Sequence, residues 1–239
     1  MQTTPDLAPD QARLVRLAAA PRLTWLDGAM AVALLAEIGL HLVAARLAAG
    51  WWTAAATDAV LVVLLAGVAW WARGARPLVL RLLAFGLAAG IAELFTDFAG
   101  EGVSSLHYPT HEPMVWASPL YMPFSWMIVL AVLGYGAWRL AARVGLVRAT
   151  VVAGLAGAAV IPFYEEMAYH AGWWRYASVR PLGHTPAYVL LFEGLVVATL
   201  PWLLGQVERR PFAQVLARGV LLGAWMPVAA LLAWGVLGR

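Results

Sequence analysis

The sequence predicts an all-α polytopic membrane protein, a bundle of seven transmembrane helices with the N-terminus inside and the C-terminus outside. Three observations carry this. The 239-residue chain is 63% hydrophobic and only 12% charged. Several of its apolar runs approach the roughly 20 residues that cross a bilayer. Its basic residues gather at the ends of alternate runs, the asymmetry that sets orientation in a membrane. One domain accounts for the length, with no room for a soluble one.

Residues 1–22 read as a cytoplasmic tail, polar and without a signal-peptide core, carrying a surface helix around Gln11–Ala20. The seven-helix domain is 23–239, with spans near 26–48, 53–73, 77–99, 119–142, 149–171, 186–206 and 212–237. Gly50, Gly74 with Pro77, Pro119, Gly145, Pro181 with Pro186, and Pro211 punctuate the turns. Two connections are longer than the rest, Gly100–Ser118 and Gly172–Thr185.

All 16 basic residues are arginine. With this span order, Arg46, Arg175, Arg180 and Arg239 fall on one side, and the other twelve fall on the side of the N-terminus. That side is therefore expected to be cytoplasmic, and the setting to be a bacterial inner membrane. The five histidines and most acids lie at the opposite end. Glu37, His41, Asp58, Glu93 and Asp97 sit in the outer halves of the first three spans, Glu101, His107, His111 and Glu112 in the first long loop, and Glu165, Glu166, His170, His184 and Glu193 around the second. Half of the membrane is expected to be apolar filler and the other half a polar chamber with aromatic walls.

The densest stretch is Pro162–Tyr176. It puts Glu165, Glu166 and His170 at the end of span five and follows them with Trp173, Trp174 and Tyr176. Glu166 and His170 are four apart and share a helical face. An earlier stretch echoes it. Glu93 precedes Ala99-Gly100 at the spacing by which Glu165 precedes Ala171-Gly172. Ser118-Pro-Leu-Tyr121 and Thr185-Pro-Ala-Tyr188 open the next helices, and Trp126 and Glu193 follow those prolines by seven residues. A helix–loop–helix repeat over 77–142 and 149–206 is the reading.

Glu93 and Asp97 are one turn apart, and Glu165 or Glu166, together with Glu193, faces them if spans three, five and six are neighbours. Carboxylates crowded into a low-dielectric site cannot all ionise, so some are expected to hold protons and act as general acids. Tying helices together is the plainer role for any one of them; ionisable clusters at membrane depth point to function. Tyr121, Trp126, Tyr164, Trp173, Trp174 and Tyr188, with His170 and His184, are the candidate substrate-binding residues. Each aromatic also suits an interfacial belt, and inside a chamber each offers a π face to a cation. Glu166, His170 and His184 with Asp97 and Glu193 are an alternative metal-ligand set, although no HExxH or HxxxH motif completes it. No metal and no cofactor is therefore assigned.

Several functions are excluded. Without lysine there is no Schiff base, and without cysteine no thiol nucleophile, thiolate metal site or disulfide. No Gly-rich loop or DxxD pair would hold phosphate, and no serine sits in a nucleophile elbow. The net charge of +3 is the cytoplasmic arginine fringe, so nucleic acid is not an expected partner. The expected partners are a lipophilic small molecule and membrane lipid.

Tyr164-Glu165-Glu166-Met-Ala168, Gly172-Trp-Trp-Arg-Tyr176 and Gly183-His-Thr-Pro186 resemble the acid–Ala–Gly-Trp–aromatic–Gly-x-Pro signature of membrane carotenoid hydratases. Glu93, His107-Tyr108 and Ser118-Pro-Leu-Tyr-Met-Pro-Phe-Ser-Trp126 resemble that family's earlier half. The likeness spans roughly Glu93–Gly194, and it departs from the family at Glu166-Met167, where a proline usually follows the acid. Size and span number are also similar to the small membrane-bound terpene cyclases. Both resemblances imply an enzyme that protonates an isoprenoid alkene or epoxide and lets water or an internal alkene quench the cation. A metal-dependent membrane hydrolase or oxygenase acting on a lipid is the alternative; a transporter or assembly factor is a third.

Overall fold

A computed structural model describes residues 9–20, 22–100, 105–109, 111–177, 179 and 181–238. Residues 1–8 and Pro21 of the expected tail, together with Glu101, Arg180 and Arg239, lie outside them. Eight α-helices follow in order: α1 Pro9–Ala19, α2 Trp25–Leu47, α3 Trp51–Trp71, α4 Arg76–Gly100, α5 Met122–Val144, α6 Leu146–Ala171, α7 Ala187–Leu204 and α8 Phe212–Leu237. The last seven are long and apolar enough to cross a membrane, and each coincides with an expected span to within a few residues. Large apolar side chains such as Val63, Leu155, Leu231 and Val236 are exposed along the helix flanks, as a lipid-facing surface requires.

Two connections depart from the simple loops expected. Leu106–His107 (β1) pairs antiparallel with Arg175–Tyr176 (β4), so the two long connections are hydrogen-bonded to each other. Each also contains a small hairpin, Met114–Val115 (β2) with Ser118–Pro119 (β3), and Pro181–Leu182 (β5) with Thr185–Pro186 (β6). The first turn residue has positive φ in both, Trp116 at 56° and Gly183 at 66°. Such turns need left-handed backbone, which glycine adopts freely and tryptophan only when its surroundings enforce it.

Small residues bring the helices close. α4 lies against both α5 and α8, α6 against α7, and α7 against α8. A Cβ on Gly90 would stand 2.6 Å from the Pro123 carbonyl of α5, and one on Gly223 would stand 2.5 Å from the Ala92 Cβ of α4. Gly157 meets Val197 of α7 in the same way. Backbones in lipid approach through such positions, where dispersion rather than the hydrophobic effect holds helices together. The main apolar core, with Leu82, Phe85, Leu130, Leu200 and Leu222 fully buried, fills the half of the bundle nearer α1.

That end is also fixed by polar contacts. Thr24 caps α2 in a reciprocal box with Asp27. Arg139 of α5 donates from Nε and Nη2 to the two Asp27 oxygens, each at 2.8 Å, while its Nη1 donates to the carbonyls of Leu17 and Ala18 at the end of α1. Tyr135 also donates to Asp27, at 2.9 Å. Trp138 donates to buried Glu208 at 2.8 Å. At the opposite end, Gly172, in left-handed backbone, ends α6, and the Ala171 carbonyl then accepts from Gly50 N–H at the start of α3.

Candidate functional site

The helix ends opposite α1 enclose a cavity of about 360 Å³. Its walls are mostly apolar and aromatic, yet six carboxyl groups line it: Glu37 from α2, Asp58 from α3, Glu93 and Asp97 from α4, Glu165 from α6 and Glu193 from α7. No arginine lines it among the described residues; His41 is its one histidine. Tyr121, Trp126, Tyr164, Trp173, Trp174 and Tyr188, all expected around a substrate, line it as well.

The acids form two groups. In the first, Asp97 Oδ2 accepts from Tyr108 OH at 3.0 Å and Ser118 Oγ at 2.8 Å. Glu165 accepts from Trp174 Nε1 at 2.7 Å on one oxygen and Tyr176 OH at 3.1 Å on the other. Burial first, then the neighbouring Asp97 and Glu93 carboxylates, push the Tyr108 phenol well above its ordinary range; burial and then Glu165 do the same to Tyr176. Both tyrosines therefore keep their protons and remain donors. Glu93 and Glu193 differ from the other two. Glu93 Oε2 is buried with no partner, and Glu193 has no side-chain hydrogen bond among the described residues. Glu193 lies within electrostatic reach of both Glu93 and Glu165.

The second group was not singled out from the sequence as a site. Glu37 lies beside Tyr164 and Asp58, and Asp58 accepts from Ser125 Oγ at 2.6 Å. His41 donates from Nδ1 to the Glu37 carbonyl at 2.8 Å, which leaves Nε2 as its second nitrogen. Its ring stands edge-on to Tyr164 and Trp173, each 5.0 Å away. The depth of Glu37, His41 and Asp58 was legible in the sequence. Their convergence on the other acids was not, because it depends on α2 lying against α6 and α3 against α5.

Four of the residues that line this cavity carry a buried polar atom without a hydrogen-bond partner: Glu37 Oε2, Glu93 Oε2, Thr96 Oγ1 and Tyr121 OH. Interiors rarely leave such atoms unpaired, and their concentration marks a space built to take a polar or reacting guest.

Three expected site residues are placed elsewhere. Glu166, His170 and His184 do not line the cavity. Glu165 and Glu166 are consecutive and so leave α6 in directions about 100° apart, and only Glu165 is turned inward. Glu166 accepts from His170 Nε2 at 3.0 Å and His184 Nδ1 at 2.9 Å on a half-exposed rim. The mixed ligand set of Asp97, Glu193, Glu166, His170 and His184 is thus divided between two places.

The hydrogen bonds also revise the repeat. Tyr108 follows Asp97, and Tyr176 follows Glu165, by the same 11 residues. Together with the paired strands and twin hairpins, this sets Asp97 against Glu165. The correspondence read from the Ala-Gly spacing, Glu93 with Glu165, is one helical turn away.

Fold and cavity together define an all-α protein with seven helices long and apolar enough to cross a membrane and an acid-lined interior chamber at one end. The chain belongs to the DUF6989 family, a domain of unknown function, whose model matches residues 94–237. The match begins just after Glu93, so α2 and α3, with their chamber groups Glu37, His41 and Asp58, precede it. No curated protein and no solved structure matches the chain.

Proposed function

We propose that the protein is an enzyme of a bacterial inner membrane that protonates an apolar isoprenoid and directs the resulting carbocation to hydration or cyclisation. The chamber is placed in the outer half of the bilayer, with the N-terminus inside and the C-terminus outside, on the strength of the arginine distribution. The observation that carries the proposal is a mostly apolar cavity lined by six carboxyl groups and, among the described residues, no arginine, with acid oxygens that lack a partner on the residues lining it. The resemblances to carotenoid hydratases and membrane terpene cyclases agree with it.

The two acid types suggest a division of labour. Glu93, which keeps one oxygen without a partner, or Glu193, which has no side-chain hydrogen bond among the described residues, delivers the proton to an alkene carbon, and the π electrons form the new C–H bond. The cation left on the neighbouring carbon is held by the Asp97 and Glu165 carboxylates and by the faces of Trp126, Trp173 and Trp174. In hydration, water adds to the cation and loses a proton to Asp97. In cyclisation, an internal alkene adds, and a C–H proton leaves to the same carboxylate. As product leaves, Asp97 releases its proton to solvent and the acid that protonated the alkene takes one up, which restores the site. A cavity of about 360 Å³ suits a short isoprenoid whole or one end of a long polyene.

The metal-dependent alternative loses its histidines from the chamber, since His170 and His184 stand on the rim with Glu166. The experiment is incubation of the purified protein with C15 to C40 isoprenoids in D2O, with mass analysis of products. One non-exchangeable deuterium per product is expected. Conversion without deuterium incorporation would refute proton-initiated chemistry.

A further inference from the structure

We infer that Glu166, His170 and His184 form a binding site for a divalent transition metal of the zinc class, which ties the β5–β6 hairpin to the end of α6 at the chamber's rim. One ligand atom from each of the three lies within 4.8 Å of the other two. A tetrahedral ion with bonds of about 2.1 Å holds its ligand atoms about 3.4 Å apart, so modest side-chain closure completes the set. Two imidazoles and a carboxylate are the ligands that zinc and its neighbours prefer over magnesium or calcium. Three protein ligands leave a fourth position for water.

The local structure is shaped for this cluster. Glu166 and His170 share a face one turn apart on α6, and His184 is brought to them by the hairpin turn. That turn needs the positive φ of Gly183, which glycine adopts freely. The Tyr169 ring stacks on His184 at 3.5 Å and 14°, fixing its plane. The three side chains are 36–51% exposed, which gives an ion a path in.

The consequence for the chamber is mechanical. Glu165 immediately precedes Glu166, and the hairpin runs directly into α7, which carries Tyr188 and Glu193. A metal at the rim would hold these two walls at a fixed separation without touching the cavity's contents. The site stands on its own geometry, whatever reaction the chamber performs.

The test uses the full chain, purified in detergent, freed of any affinity tag and stripped with chelator. Titration calorimetry with zinc chloride is expected to give one site of micromolar affinity or tighter. Zinc is also expected to raise the melting temperature. Both effects should vanish in His170→Ala, His184→Ala and Glu166→Gln and persist in His111→Ala. The metal-free melting temperatures of the variants show that they are folded. No binding by the native chain, binding unchanged in all three rim variants, or binding lost only in His111→Ala would each overturn the inference.

Discussion

Replacing Arg139 by methionine isolates the contact that fixes α1 to the bundle, and its effect can be worked out without knowing the substrate. Arg139 is only 5% exposed and makes two charge-assisted bonds to Asp27. Methionine keeps the length and apolar stem but removes both bonds and the donors to the Leu17 and Ala18 carbonyls. Breaking a buried ion pair costs about 3–5 kcal/mol, because the remaining charge is stranded. Asp27 keeps Tyr135 and its Thr24 donors, so the loss should lie near the lower end, about 3 kcal/mol. Asp27→Asn should cost less, about 2 kcal/mol, since Arg139 retains its carbonyl acceptors. The double variant should lose clearly less than the sum. The assay is unfolding in mixed micelles, with hydrogen exchange over Pro9–Ala19 as the local readout. A loss below about 1 kcal/mol for Arg139→Met, or an additive double variant, would refute the reasoning.

Two further outcomes follow from the geometry. Burial raises Glu112, in the first long connection, to about 7, against the lowering effect of Tyr121 beside it. The folded state then holds this proton while the unfolded state, at its ordinary value of 4.5, releases it, so stability falls as pH rises between these values and levels off above about 7. Glu112→Gln should melt higher than the native chain above pH 7; an unchanged pH profile would contradict this. Gly223→Ala should destabilise by about 1–3 kcal/mol, because its methyl group would overlap Ala92 of α4, whereas Gly235→Ala, with nothing within 4 Å, should be neutral or slightly stabilising. Equal effects at the two positions would contradict the close α4–α8 packing.

The parts of this molecule legible in its sequence were those governed by local rules. Apolar length placed the seven long helices, and Gly50, Gly145 and Pro211 fell at their boundaries. Depth along a helix is also local, so the acids and histidines could be assigned to one end. Azimuth was not legible, because apolar residues surround each helix and no amphipathic stripe reports which side is inward. Neighbouring Glu165 and Glu166 therefore looked alike, and they separate into chamber and rim only when α7 and the β5–β6 hairpin take their places. Glu37 and Asp58 were visible as outer-half acids, but only the packing of α2 and α3 brings them to the cavity. The β1–β4 pairing joins segments some 70 residues apart, and two residues per strand leave no alternation to read.

The central claim is that the chamber's unpartnered acids supply a proton. Turnover of an isoprenoid substrate by Glu93→Gln and Glu193→Gln, beside the native chain, tests it most directly. The amide keeps the shape of the acid and cannot deliver the proton. At least one variant should lose about 10²–10⁴-fold in kcat while its melting temperature stays near native. Full activity in both chamber variants would contradict the account.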